Sequence, residues 1–239
     1  VFESTLNPET RRSGGMHYTS IENIHKVIDP LFLNDLKAEW EAIKTRPASR
    51  FKATYIQNFH DKISNLIFLD PACGSGNFLT ETYLSLRRLE NDIISEERRT
   101  SLGQTAMRGM DAASVGIQVS IAQFYGIEIN DFAVTVAKTA LWIAESQMMQ
   151  ETEKIISLPL EFLPLKTNAY IVEGNALQMN WEEVVPKTKL NYIMGNPPFV
   201  GGMYMSESQK NEIRGIFPDV TGAGEFDYVT GWYKKAAEY

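Results

Sequence analysis

Two short stretches of the chain carry residue types that could do chemistry. The first is Asp70-Pro71-Ala72-Cys73-Gly74-Ser75-Gly76, and the second is Asn196-Pro197-Pro198-Phe199. Glycines let the backbone pass close to a ligand, because a Cβ at either position would fill the space that the ligand needs. In the second stretch a polar amide precedes two prolines, which have no backbone N–H group and leave the Pro197 carbonyl free to accept. The first stretch predicts a turn that binds a nucleotide-type ligand, and the second predicts a loop that presents hydrogen-bond acceptors.

Short apolar runs without helical periodicity precede both stretches and predict buried strands. Residues 65–69 lead into the glycine turn, and residues 190–195 lead into the asparagine. After the turn, Asn77 can cap a helix whose apolar residues recur at helical spacing. A strand, a glycine turn and a helix in succession are typical of the ligand site of an open α/β sheet. We therefore predict that the two loops lie at neighbouring strand ends and face each other across one crevice.

Two more strands are predicted between these stretches. Residues 124–129 form one and place Glu128 at its carboxyl end, where a carboxylate can accept hydrogen bonds from both hydroxyls of a ribose. Residues 169–172 form the other and lead to Asn175. The polar segment between residues 91 and 121 is expected to loop out of the crossover that joins the first two strands. The arginines in and near it are expected on a solvated helical face; they are Arg87, Arg88, Arg98, Arg99 and Arg108.

The segments on either side of the sheet are predicted to be mainly helical. Thr19 or Ser20 can cap a helix over residues 21–28, which Pro30 should end, and an amphipathic helix should follow over residues 31–42. Residues 51–61 are expected to lead helically into the first strand. Beyond the second motif, the composition of residues 201–224 predicts a flexible loop of the kind that forms lids, and residues 225–239 predict a helix. We divide the chain into a helical segment, residues 1–64, and a core, residues 65–239, that is incomplete at its C-terminus.

Composition limits the class of protein. A chain of 239 residues with 44% hydrophobic residues can support one well-buried α/β domain with a small appendage. Its single cysteine excludes an internal disulfide, and its three histidines lack ligand spacing, so no metal site is expected. No apolar run approaches a membrane span and no cleavable signal is visible, which makes the cytoplasm the expected compartment. The net charge of −7 is unusual for binding to DNA phosphates, so any basic surface is expected elsewhere in a longer protein.

The two motifs together resemble those of class I S-adenosylmethionine-dependent methyltransferases that modify an exocyclic nitrogen of a DNA base. Residues 70–76 look like the cofactor motif of that group, and residues 196–199 look like its catalytic motif. Their order is similar to that of the adenine-N6 enzymes in which a target-recognition domain follows the core. Residues 2–20 and 30–33 further resemble the methylase core of large single-chain restriction-modification enzymes of Type IIG or IIL.

This resemblance implies a fold, a cofactor and a partner. The fold would be a Rossmann-like methyltransferase sheet with helices on both faces, truncated here after the fourth strand and preceded by a helical segment. The cofactor would be S-adenosylmethionine. The partner would be double-stranded DNA bound by the full-length protein, in which a recognition domain follows this core and a nuclease domain can precede it.

The resemblance also implies which residues act on the base. The side-chain oxygen of Asn196 and the carbonyl of Pro197 would accept hydrogen bonds from the two hydrogens of an adenine amine. These bonds would offset the poor nucleophilicity of that nitrogen. Phe199 would stack on the base after it has rotated out of the duplex. The catalytic set is Asn196, Pro197, Pro198 and Phe199.

The residues expected to bind the cofactor come from every predicted strand end. Asp70 would meet the methionine ammonium group, and the segment Tyr18-Thr19 would close over the methionine end. The Asn175 oxygen and the N–H group of Ala176 would meet the edge of the cofactor adenine. The full set is Tyr18, Thr19, Asp70, Ala72, Gly74, Gly76, Asn77, Glu128, Ile129, Asn175 and Ala176.

Other functions fit the same residues. A protein-glutamine N5 methyltransferase also resembles Asn-Pro-Pro-aromatic, because an amide nitrogen poses the same chemical problem as an aromatic amine. A cytosine-N4 enzyme is another alternative, although such enzymes more often carry Ser in place of Asn196. A third is a fragment that only binds cofactor. Phe199, the Tyr18-Thr19 segment and the large insertion favour DNA adenine.

Overall fold

The structure is a computed structural model that describes residues 19–47, 50–100, 116–157, 159–160 and 168–239. In these ranges the α-helices are α1 Ile21–Ile28, α2 Asn34–Lys44, α3 Arg50–Ser64, α4 Asn77–Thr100, α5 Asp131–Ile156, α6 Glu207–Ile216 and α7 Thr230–Glu238. The strands are β1 Phe68–Asp70, β2 Phe124–Glu128, β3 Tyr170–Glu173 and β4 Tyr192–Ile193. Short 3₁₀ turns lie at Ile121–Gln123, Trp181–Glu183 and Ala223–Glu225.

The four strands form one sheet in the order β3-β2-β1-β4, and every neighbouring pair is parallel. The chain adds β2 and β3 on one side of β1 and then crosses to the other side to add β4. Open α/β sheets bind ligands at such a reversal of strand order, outside the carboxyl ends of the strands. The predicted α/β sheet is therefore confirmed, and the two motifs do follow neighbouring strands.

Each face of the sheet has its own apolar core, because successive strand residues point to opposite faces. Phe68 and Phe124 stack with ring centroids 5.2 Å apart in the first core, to which α1 to α5 contribute. Leu69 and Ile127 belong to the second core, to which α6 and α7 contribute. The prediction of helices on both faces is confirmed.

The N-terminal helices differ from the prediction at Pro30. Ser20 caps α1 as expected, its side chain accepting from the Asn23 N–H group at 3.4 Å. Pro30 does not end the helical path, because Asp29–Leu33 forms a π-helical turn that continues directly into α2. In this turn the Asn34 N–H group bonds to the carbonyl of Asp29. Pro30 removes one backbone hydrogen bond from this continuous helical run, and the wider π-helical turn accommodates it.

Helix α4 is longer than the sequence predicts. It runs to Thr100, so the prediction that residues 91–100 loop out is wrong, while residues 101–115, which include Arg108, lie outside the described residues. The prediction of a solvated face is wrong for Arg87, whose side chain is fully buried against Glu90. It is confirmed for the exposed arginines of this helix, which are Arg88, Arg98 and Arg99.

The segment after the second motif is more ordered than expected. Residues 207–216 form α6, which begins with a capping box between Ser206 and Gln209, so the prediction of a flexible loop over residues 201–224 is wrong there. The predicted C-terminal helix is confirmed as the shorter α7. Among the helices that the structure describes, none is both long and apolar enough to cross a membrane.

Candidate active site

The glycine turn after β1 leaves open space beside the backbone. Gly74 has φ of 54°, which disfavours residues with a side chain, and a Cβ added there would meet nothing within 4 Å. A Cβ at Gly76 would instead lie 2.9 Å from the Cβ of Ala137 on α5. The two glycines therefore differ, since Gly76 allows the turn to pack on α5, whereas the space beside Gly74 is open.

Asp70 joins the two loops. It is 1% exposed at the end of β1, and its Oδ1 accepts from the N–H group of Ala72 at 3.0 Å. A Cβ at Gly195 would lie 3.0 Å from Asp70 Cγ and closer still to Oδ1, so only glycine lets the loop after β4 approach this carboxyl group. Burial, with a smaller contribution from the negative charge of Glu128, raises the pKa of Asp70 to about 7.

Glu128 holds the ends of two neighbouring loops at the carboxyl end of β2. Its Oε2 accepts from the N–H group of Gly74 at 2.9 Å, and its Oε1 accepts from the N–H group of Asn130 at 3.0 Å. Each carboxylate oxygen has a second lone pair that can accept from a ligand hydroxyl. Ile129 follows it and is 65% exposed, so an apolar side chain borders this carboxylate.

Asn175 lies in a turn after β3 and has protein partners at both ends of its amide. Its Oδ1 accepts from the N–H group of Leu177 at 2.9 Å, and its Nδ2 donates to Glu212 of α6 at 2.8 Å. Ala176 is buried, and its carbonyl accepts from the indole N–H group of Trp181 at 2.8 Å. The turn is thus fixed from within and from α6.

The Asn-Pro-Pro-Phe loop presents its polar and aromatic side chains to solvent. Asn196 is exposed, Phe199 is 65% exposed, and the two prolines between them are half-buried. The Nδ2 of Asn196 donates to the hydroxyl of Thr19 at 3.2 Å. Thr19 therefore contacts the Asn-Pro-Pro-Phe loop, while Tyr18 lies outside the described residues.

Residues 227–232, which lead into and begin α7, hold the loops that follow β1 and β4 by hydrogen bonds. The N–H group of Val200 donates to Asp227 at 3.1 Å, and the Val200 carbonyl accepts from the N–H group of Tyr228 at 2.9 Å. On the other loop, the Pro71 carbonyl accepts from the indole N–H group of Trp232 at 3.0 Å. These bonds set the distance between the loops that follow β1 and β4.

Comparison with known proteins decides the family. The family model described as "MmeI, DNA-methyltransferase domain" matches residues 41–239. The chain belongs to this family. It is 37% identical over 243 residues to DNA methyltransferase A of Bacillus subtilis (strain 168), a match that covers 100% of this chain and 26% of that protein. It also resembles a solved structure of the Type IIL restriction-modification enzyme MmeI in complex with DNA, with a TM-score of 0.89 and 38% identity over 100% of this chain and 30% of that one.

Membership in the MmeI methyltransferase family confirms the resemblance to a DNA methyltransferase. The match to MmeI itself confirms the Rossmann-like methyltransferase fold and the similarity to the methylase core of restriction-modification enzymes. The chain spans between a quarter and a third of the length of these relatives.

The structure of this MmeI-type domain places most predicted site residues around one edge of the sheet. Those in or next to the loops that follow the strands are Asp70, Ala72, Gly74, Gly76, Asn77, Glu128, Ile129, Asn175, Ala176 and residues 196–199. Cys73 is buried and burial raises the pKa of its thiol, as expected of a space-filling residue. In the described ranges, no group of three His, Cys, Asp or Glu residues could hold a metal ion.

Four residues that support the site of this MmeI-type domain were not found from the sequence. They are Gly195, Glu212, Asp227 and Trp232. Each contacts a residue that is distant in the sequence, so no pattern among neighbouring residues marks it as part of the site. For Glu212 a partial signal exists, because the Ser206-to-Gln209 capping box predicts a helix that could carry it.

Proposed function

We propose that this MmeI-type domain transfers a methyl group from S-adenosylmethionine to N6 of an adenine that has left a DNA duplex. The observation that carries the proposal is the position of Asn196, exposed at the tip of a loop whose neighbour across the sheet reversal is the glycine turn. A loop that carries hydrogen-bond acceptors and a glycine turn with open space beside Gly74 thus lie at one edge of the sheet. The family match and the similarity to MmeI support the same reaction class.

The residues around Gly74 fit a cationic nucleoside such as S-adenosylmethionine. Two carboxyl groups, Asp70 and Glu128, point to the turn, and an ionised carboxylate binds an ammonium group through a charge-assisted hydrogen bond. Glu128 has lone pairs for ribose hydroxyls, and the exposed Ile129 offers apolar contact to a purine ring. When bound there, the cofactor supplies an electrophilic methyl group.

The second loop fits an aromatic amine. The amine of adenine is a poor nucleophile because its lone pair is delocalised into the ring. Asn196 Oδ1 and the Pro197 carbonyl would each accept one hydrogen bond from the amine and stabilise the positive charge that develops on nitrogen. The exposed ring of Phe199 provides a stacking surface for a base that has rotated out of the duplex.

The remaining assignments belong to this proposal. Tyr18 and Thr19 would close over the methionine end of the cofactor, and Asn77, Asn175 and Ala176 would contact the cofactor from the loops that follow the strands. Residues 1–64 would be the segment that carries the closing motif, and residues 65–239 the core that binds S-adenosylmethionine and carries the catalytic loop. Double-stranded DNA is the partner of the full-length protein, with the recognition domain after this core.

The test is product identification with the full-length protein that carries this chain. Purified protein is incubated with S-adenosylmethionine labelled in its methyl group and unmethylated genomic DNA, which is then digested to nucleosides and analysed by mass spectrometry. We expect labelled N6-methyladenine and no labelled N4-methylcytosine. Label in N4-methylcytosine, or only in the glutamine of a release-factor-like protein added in parallel, would replace the adenine assignment with the corresponding alternative.

Cofactor binding should depend on pH through Asp70. Its raised pKa of about 7 means that it holds a proton up to that pH, and a protonated carboxyl group cannot pair with the cofactor ammonium group. We expect the affinity for S-adenosylmethionine to rise by about tenfold per pH unit between pH 5.5 and 7 and then to level off. Isothermal titration calorimetry measures this.

The matched variant for this experiment is Asp70→Asn. An asparagine at this position retains an acceptor for the Ala72 N–H group but has no carboxyl proton to lose. It should bind the cofactor weakly and equally at pH 5.5 and 7.5. Equal affinity of the wild-type protein at these two values would contradict the role of Asp70.

A further inference from the structure

The proposed reaction requires that Asn196 present its oxygen to the base. A carboxamide has an oxygen that accepts hydrogen bonds at one end and an NH₂ group that donates them at the other. Half a turn about the last side-chain bond exchanges these ends. In the wrong orientation, the NH₂ group of Asn196 would oppose the amine hydrogens of the base. Catalysis therefore needs a contact that fixes the orientation of this amide.

The loop itself does not supply such a contact. Pro197 and Pro198 restrict the backbone torsions but place no restraint on the Asn196 amide. Because Asn196 is exposed, packing does not hold its side chain in place either. The orientation must come from a hydrogen bond.

The structure shows this hydrogen bond. Nδ2 of Asn196 donates to the hydroxyl oxygen of Thr19 at 3.2 Å, which leaves Oδ1 of the same amide for the base. A threonine hydroxyl can accept or donate, and in the structure it accepts from the NH₂ end of Asn196.

Thr19 is held by a well-anchored helix. It lies immediately before Ser20, the N-cap of α1, and both Ile24 and Ile28 of that helix are buried in the first core. His25 of α1 also lies 3.2 Å from the carboxylate of Glu81 on α4. Thr19 is thus joined directly to a helix that is anchored in the first core.

We propose that Thr19 is a positioning residue for methyl transfer, because its hydroxyl holds the NH₂ end of Asn196 and turns Oδ1 toward the target amine. This inference rests on the proposed function. It differs from the sequence prediction, in which Thr19 closes over the cofactor. The two roles separate experimentally, since a positioning residue affects kcat and a cofactor contact affects the affinity for S-adenosylmethionine.

The test compares three variants of the full-length protein in DNA methylation at saturating S-adenosylmethionine. Thr19→Val keeps the shape and removes the hydroxyl, Thr19→Ser keeps the hydroxyl, and Ser20→Ala removes the neighbouring hydroxyl that caps α1. We expect Thr19→Val to lower kcat about tenfold, the value of one neutral hydrogen bond, with cofactor Kd within about twofold of wild type. Thr19→Ser should retain kcat, and Ser20→Ala should speed hydrogen exchange of the α1 amides with kcat unchanged.

Three results would overturn the inference. They are an unchanged kcat in Thr19→Val, a weakened cofactor Kd with unchanged kcat at saturation, and an equal loss of kcat in Ser20→Ala. The first would show that Asn196 needs no such contact, the second would make Thr19 a cofactor ligand, and the third would assign the effect to the start of α1. Failure of the proposed function is a separate result, namely a wild-type protein that places no label on adenine.

Discussion

Asn196→Ala is expected to abolish measurable methyl transfer to DNA, with kcat lower by at least about 10²- to 10³-fold, the loss seen when one preorganised transition-state hydrogen bond is removed. The alanine has no oxygen to accept an amine hydrogen, and only the Pro197 carbonyl remains. The affinity for S-adenosylmethionine should stay within several-fold of wild type, because the side chain of Asn196 faces Thr19 and solvent. Single-turnover transfer of a labelled methyl group measures the first quantity, and titration calorimetry measures the second.

Asn211→Ala is the matched control for this variant. Asn211 is also an exposed asparagine, but it lies on α6, where its Oδ1 accepts from Arg214 at 2.8 Å. Its replacement should leave the rate of methyl transfer within about twofold, since surface changes away from a site have small effects. If Asn196→Ala were to methylate DNA as fast as this control, the assignment of the catalytic loop would be wrong.

The sequence predicts those parts of the site whose structure depends on neighbouring residues in the chain. The turn at residues 70–76 requires glycine at two of its own positions, so the sequence shows the requirement where the turn occurs. The loop at residues 196–199 carries its own acceptors and its own stiffening prolines. Because both follow apolar runs that read as buried strands, their positions at strand ends could be predicted, and the parallel pairing of β1 with β4 confirms that they are neighbours.

The parts that the sequence does not predict depend on contacts between distant residues. Gly195 is required because Asp70 lies against it, and Thr19 contacts Asn196 across 177 positions. Neither dependence leaves a pattern within a window of neighbouring residues. The burial of a charged pair could not be predicted either. An Arg and a Glu three positions apart are typical of an exposed helix face, yet Arg87 and Glu90 are buried.

That buried pair belongs to a network that holds the first crossover. Glu90 Oε2 pairs with Arg87, and its Oε1 accepts from His60 at 2.7 Å and from the N–H groups of Gln118 and Val119 at 2.6 and 2.8 Å. It therefore ties α3 and α4 to the chain that leads into β2. Although burial alone would raise the pKa of Glu90, the hydrogen bond from His60 and the charge of Arg87 hold it below its usual value.

Glu90→Gln should accordingly destabilise the domain by about 3–5 kcal/mol, the cost of leaving one partner of a buried ion pair uncompensated. Arg87 cannot release its proton, and in either orientation the NH₂ group of the glutamine would face other donors, either the guanidinium group or the N–H groups of residues 118 and 119. The free energy of opening is measured by native-state hydrogen exchange of the α4 amides in the full-length protein.

An exposed glutamate provides the control for Glu90→Gln, and the pH dependence of stability reports on the buried carboxylate itself. Glu22→Gln alters a side chain that is 84% exposed and 3.5 Å from Lys26, and it should cost less than about 1 kcal/mol. A carboxyl group with a lowered pKa stabilises the fold above its unfolded value of 4.5 and loses that contribution as the pH falls through the folded value. Wild-type stability should therefore fall more steeply than that of Glu90→Gln below pH 4.5. A loss in Glu90→Gln no larger than that in Glu22→Gln would show that the carboxylate does not hold the crossover.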